Sequence, residues 1–123
     1  MYKELLAYKK GYQLAMLVFK VSKRFPKEEK YSLTDQIRRS SRSIGAQIAE
    51  SWAKRRYENH FIFKLTDADA EHYETKHWIE EAFDCDLAGK SDLDSVIKYC
   101  DLINQKLNSM ISKASLFCSP NKK

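Results

Sequence analysis

The sequence predicts an all-α protein, an antiparallel up-down-up-down four-helix bundle, and three observations predict it. Apolar residues recur three and four apart through four long segments, the spacing of one face of a helix. Glycine and proline number only three and two in 123 residues, so little interrupts those segments. The connections between them run to about four to eight residues, a length that favours antiparallel neighbours.

The first segment covers residues 3–24 and ends before FPKEEKYS, where Pro26 removes a backbone donor. At about 100° per residue its apolar positions fall on two stripes. Leu14, Val18, Val21 and Phe25 form one, and Leu5, Tyr8, Tyr12, Ala15 and Phe19 the other. Two readings follow: one wide face sunk in the core, or one face for the core and one for a neighbouring copy. The second makes Leu5, Tyr8, Tyr12 and Phe19 an oligomer interface.

The second segment is expected to begin at Ser32, with Asp35 three residues on as a capping box, and to reach Ala53. Its apolar residues Ile37, Ile44, Ile48 and Trp52 stand among small ones. Ser40, Ser41, Gly45 and Ala49 should let a neighbouring backbone approach. The glycine costs about 1 kcal/mol of helix propensity against alanine, so Gly45 is expected to sit where a larger side chain would hold the neighbour off.

Phe61, Leu65, Ala68, His72, Thr75, Ile79 and Phe83 place one stripe on the third segment, which Gly89 should terminate. The fourth should start at Ser91, with Asp94 as its capping acid, and carries a seam from Leu93 through Val96, Cys100, Ile103, Leu107 and Met110 to Ala114. The expected organisation is one bundle over residues 1–118 with a frayed tail at 119–123.

The formal charge of +5 is uneven. Residues 1–64 hold 15 Lys and Arg against 6 Asp and Glu, and residues 65–123 hold 7 against 11. A basic half asks for an acidic partner, either nucleic acid or an unlike face of another copy. The candidate nucleic-acid residues are Lys20, Lys23, Arg24 and Lys27 near the first turn, Arg38, Arg39 and Arg42 on the second helix, and Lys54, Arg55 and Arg56 at the second turn. Bundle topology puts these at two ends, and nothing resembles a groove-reading motif, so the expected binding to RNA or DNA is non-specific.

Gln47 and Glu50 border the second helix's apolar stripe as Glu71 and Glu74 border the third's. They are read as a structural polar cluster, with Arg38 or Arg39 as counter-charge for Glu50 or Glu74, because an unpaired carboxylate there would be costly. Glu74-x-x-His77 has a spacing used in di-iron bundles, but those need a second such motif and further glutamates. All three histidines, His60, His72 and His77, lie in the third segment, so no metal is expected, and His72 is read as a core histidine. No nucleophile elbow or phosphate-cradling loop occurs, so neither an enzyme nor a cofactor is expected.

Cys85, Cys100 and Cys118 have no zinc-type spacing and read as reduced thiols. The longest apolar run near the N-terminus, residues 14–19, is too short for a membrane span. No membrane partner and a cytoplasmic location are the expectation.

The stretches FPKEEKYSLTDQIRRSSRSIGAQIAES, residues 25–51, and ETKHWIEEA, residues 74–82, resemble the bacterial four-helix-bundle family of proteins encoded in intervening sequences of large-subunit ribosomal RNA genes. The resemblance covers nearly the whole chain. It implies an antiparallel bundle and self-assembly as a homopentamer. Through the related accessory protein of diversity-generating retroelements, it also implies a basic pentamer that binds nucleic acid and a protein partner. Gln47 stands where that family usually has asparagine, and Ser51-Trp52 replaces a common glycine. The leading expectation is therefore a non-enzymatic, homo-oligomeric nucleic-acid-binding scaffold; the alternative is a protein-interaction module that binds no nucleic acid.

Overall fold

The helices stop where the chain can no longer keep an apolar stripe on the core. In a computed structural model describing residues 1–118, α1 spans Leu6–Ser22, α2 Leu33–Ala53, α3 Glu58–Asp84, α4 Lys90–Ser112 and α5 Ala114–Phe117. The expected tail at 119–123 lies outside the described residues. Each of the first four helices packs on its sequence neighbour and α4 closes back onto α1, so the molecule is an all-α up-down bundle. Cross-links set the directions. Ser40 meets Thr75 and Lys64 meets Glu50 between α2 and α3, while Asn104 meets Asp69 and Lys76 meets Asp101 between α3 and α4. In each pair of links one number falls as the other rises, which is antiparallel packing.

The buried stripe of α1, Leu14, Val18 and Val21, continues into Phe25 and faces Ile37, Ile44 and Ile48 of α2, Phe61, Leu65 and Ile79 of α3, and Val96, Ile103 and Leu107 of α4 in a single core. Fully burying one such side chain is worth about 1.5–3 kcal/mol, so this seam dominates stability. The second stripe of α1 is open. Leu5, Tyr8, Ala15 and Phe19 are half-buried and Tyr12 is 58% exposed.

Several boundaries differ from the sequence expectation. The first segment is divided at Leu5, whose extended backbone separates a 3-10 turn at Tyr2–Glu4 from α1. Ser32 does precede α2, but no capping box with Asp35 forms: its hydroxyl donates to Glu29 Oε1 at 2.7 Å. That carboxylate also accepts from the Leu33 N–H at 3.4 Å. A 3-10 turn at Lys27–Glu29 puts an ionised acceptor at the positive end of α2, where it outcompetes a hydroxyl.

α3 ends before Gly89. Asp86 takes the left-handed conformation at φ 61°, its N–H donates to the Phe83 carbonyl, and the Leu87 N–H reaches back to Ala82 at 2.8 Å. This is a Schellman stop that uses Asp where Gly is usual. Gly89 serves instead as the residue before α4, so Ser91 lies inside that helix and makes no cap. α4 ends at Ser112, and after Lys113 the short α5 turns Phe117 back against Phe61 and Trp52, with ring centres 5.9 and 6.4 Å away.

Gly11 and Gly45 lie at one α1–α2 contact, where a Cβ on Gly11 would stand 3.7 Å from the Gly45 nitrogen, and Gly11 is the tighter of the two. A Cβ on Gly11 would meet Ile44 Cγ2 at 3.1 Å, whereas one on Gly45 would meet Tyr8 at an ordinary 3.7 Å. Gly11 is buried and Gly45 is half-exposed at the margin of the contact. Gly45 therefore has more room than Gly11, while the α1 backbone does approach it at Gly11, as expected of a face of small residues.

Candidate nucleic-acid interface

The α1–α2 edge gathers most of the basic residues because antiparallel packing sets the end of α1 beside the start of α2. Arg38 donates from Nε to the buried Ser22 hydroxyl at 2.7 Å, and Ser22 in turn donates to the Phe19 carbonyl at 3.1 Å. Phe19 sits between the two helices with three cations around its ring. The Arg38 guanidinium lies 4.7 Å from the ring centre, Lys23 Nζ 4.8 Å and the Arg42 guanidinium 5.7 Å. Cations are drawn to the negative face of an aromatic ring. They also repel one another, and among the described residues no carboxylate pairs with any of the three.

Neighbouring arginines are neutralised within the fold. Arg24 pairs with Asp92 of α4 at 2.5 Å, tying the end of α1 to the start of α4. Arg39 bonds Glu74 and lies 3.6 Å from Glu71 Oε1, an ion-pair distance too long for a hydrogen bond. Lys20 and Lys27 are exposed and, among the described residues, have no ion pair.

At the far end of α2, about 24 Å along the helix axis from Arg38, Lys54, Arg55 and Arg56 form the second patch. Arg55 lies over Trp52 at 3.7 Å and donates from Nε to the Trp52 carbonyl at 2.8 Å. Arg56 lies 5.9 Å over Tyr57. Neither arginine has a carboxylate partner among the described residues, and Lys54 forms no ion pair but acts by its charge on Glu50. Nine of the ten candidates thus lie in two separated patches, with Arg39 turned to α3, and among the described residues eight of the ten form no ion pair.

The polar margin of α2 and α3 is a lattice of bonds within the subunit. Burial alone would push the Glu74 carboxyl up; the bonds from Arg39 and from Trp78 Nε1, at 3.1 Å, together with the Arg39 charge, outweigh it and hold it below the ordinary carboxylate range. Glu50 takes Lys64, at 2.7 Å, rather than an arginine. That bond, reinforced by the lysine's charge, holds its carboxyl low. Gln47 Oε1 and Glu71 Oε1 are buried without a hydrogen bond. His72 is fully buried, its Nδ1 within 2.8 Å of the Asp69 carbonyl and 2.9 Å of the Asp69 carboxylate, and its Nε2 has no partner. His77 is exposed and stacks edgewise on Trp78, apart from His72. Among the described residues no group of three or more His, Cys, Asp or Glu could hold a metal ion.

Beside the Phe19 patch runs an open groove of about 480 Å³ between α1 and α2. Tyr8, Tyr12, Met16 and Phe19 wall it, Gly45 and Ala49 floor it, and Arg42 stands among its walls. The half-open stripe of α1 is thus one side of a trough whose floor depends on the missing side chain of Gly45. Sequence reasoning assigned Phe19 to an oligomer face and the cations to nucleic acid; packing brings the two sets together. Ser22 escaped it, because nothing in a helical pattern marks a serine as the anchor of an arginine sixteen residues away.

Comparison with known proteins gives this geometry a family. The model of the 23S rRNA-intervening sequence protein family matches residues 3–109. The chain belongs to that family. Within the S23 ribosomal protein family, a protein of unknown function from Bacteroides thetaiotaomicron, whose crystal structure is at 1.70 Å, has the same architecture. It is 28% identical, with a TM-score of 0.79, and the match covers 91% of this chain and 99% of that one. No curated protein matches the chain significantly. Among the described residues of this intervening sequence protein, no helix is long and apolar enough to cross a membrane.

Proposed function

We propose that the protein is a non-enzymatic, homo-oligomeric scaffold of the cytoplasm that binds RNA or DNA non-specifically through its basic surfaces. One observation carries the reading: among the described residues, eight exposed or half-exposed cations near the two ends of α2 form no ion pair, with only Lys54 of them acting by its charge on a carboxylate, Glu50, while Arg24 and Arg39 beside them are paired. Lysines and arginines free of internal partners are the groups that displace counterions from phosphates. The resemblance to homopentameric bundles supports a ring of five copies, which would repeat each patch around an axis and multiply weak contacts.

Binding should fall steeply between about 50 and about 200 mM salt. The variant R55E/R56E should lose retention on nucleic acid while light scattering shows the same assembly mass. Failure of the wild-type protein to bind RNA or DNA at low salt would end the reading.

The apolar groove favours a second reading, a module that associates only with protein. Its signature is an assembly that R55E/R56E breaks apart and a wild-type chain that ignores nucleic acid at every salt concentration.

A further inference from the structure

The Phe19 cluster differs from the other basic residues in being built. Arg38 is not a loose surface arginine: its Nε is fixed by a buried hydroxyl, which is itself fixed by the Phe19 carbonyl. The chain of bonds orients the guanidinium over the ring and leaves both terminal nitrogens without a bond to a described residue. Lys23 and Arg42 approach the same ring, so three positive charges lie within 5.7 Å of one centre. Such a concentration, with no ion pair to a carboxylate among the described residues, carries repulsion that an anion would relieve. The adjacent arginine in sequence, Arg39, shows the alternative, a side chain neutralised by Glu71 and Glu74.

We infer that this cluster is the seat of a nucleic-acid backbone phosphodiester, with the terminal nitrogens of Arg38 as the oriented fork and with Lys23 and Arg42 as flanking charges. A planar guanidinium whose third nitrogen is already held meets two phosphate oxygens with little further ordering, which a lysine cannot do. Ser22 is a positioning residue that acts through Arg38. The inference rests on the nucleic-acid reading above and adds where on the surface the phosphate sits. The second patch, at Arg55 and Arg56, whose arginines lie over Trp52 and Tyr57, is a further backbone contact that retention also needs.

The test is titration of a labelled oligouridylate RNA, read by fluorescence anisotropy across a salt series, with circular dichroism and light scattering as controls. R38A/R42A should weaken binding at least tenfold at low salt and lower the slope of log affinity against log salt by about 1.4, roughly 0.7 for each lost single-strand contact. R38K should keep the slope but not the affinity. S22A should weaken binding several-fold with the slope unchanged, because a charge is misaimed rather than removed, a readout that mere loss of stability would not give. Unchanged binding by R38A/R42A alongside loss by R55E/R56E would overturn the seat and leave the nucleic-acid reading standing. A fall in assembly mass in R38A/R42A would overturn it differently, by showing that the cations serve a neighbouring copy's carboxylate. Absence of RNA binding by the wild-type chain would remove both this seat and the reading beneath it.

Discussion

Glu74 shows how a single side chain joins two helices. It accepts from Arg39 of α2 and from Trp78 one turn along α3, and these bonds keep its carboxyl below the usual 4.5 despite burial. A carboxyl lowered in the folded state contributes stability that is fully present above the unfolded value and disappears as pH falls through the folded one. The wild-type urea midpoint should therefore fall on acidification below 4.5, and E74Q should be the less stable of the two near neutrality, by a modest amount because the pair is partly exposed, and converge on the wild type in acid. An E74Q curve that superimposes on the wild type from neutrality into acid would show that Glu74 makes no such contribution. That α2 and α3 needed a charge pair was legible from acids beside an apolar stripe. Which pair formed was not, because Arg38 and Arg39 point to opposite flanks of α2, one to Ser22 of α1 and the other to Glu74 of α3.

Helix by helix, the contacts between α1 and α2 separate two glycines that look alike in sequence. Ile44 is fully buried and branched at Cβ, so it yields poorly to a methyl group on Gly11 at 3.1 Å. A methyl group on Gly45 would meet Tyr8 at an ordinary contact distance of 3.7 Å. G45A should stabilise the bundle by about 1 kcal/mol, the helix-propensity difference. G11A should be less stable than G45A by about 1 kcal/mol or more, since overpacking offsets the same gain. Chemical denaturation of both variants checks the order, and equal stabilities would show that Ile44 gives way freely. Helix existence and core stripes were readable because a period of three and four survives any tertiary arrangement. Caps were not, since Glu29 and Asp86 act through turns whose geometry is set by several residues at once.

The whole molecule presents an unusual division of surfaces. One edge, between α1 and α2, carries both the groove and the Phe19 cluster, while acidic residues are concentrated on α3 and α4. If the groove seats a neighbouring copy, Y12E should reduce the assembly mass measured by light scattering. Thermal stability of the separated chain should change little, because Tyr12 is 58% exposed in the isolated subunit. Full-sized Y12E assemblies would place the self-association elsewhere. The sequence by itself determined four helices, their antiparallel order, most of the core residues and the uneven charge, because these follow from local periodicity, connection length and composition, although Ala82 is buried where the stripe named Phe83, and Trp52 and Leu93 are only half-buried. Only the tertiary structure decided which cations stay free, that Ser22 aims Arg38, that Gly11 and not Gly45 is the tight point, and that Phe19 joins the groove to the basic cluster. Those are relations between side chains sixteen or more residues apart in sequence, and they exist only once the helices have fixed each other's rotation and offset.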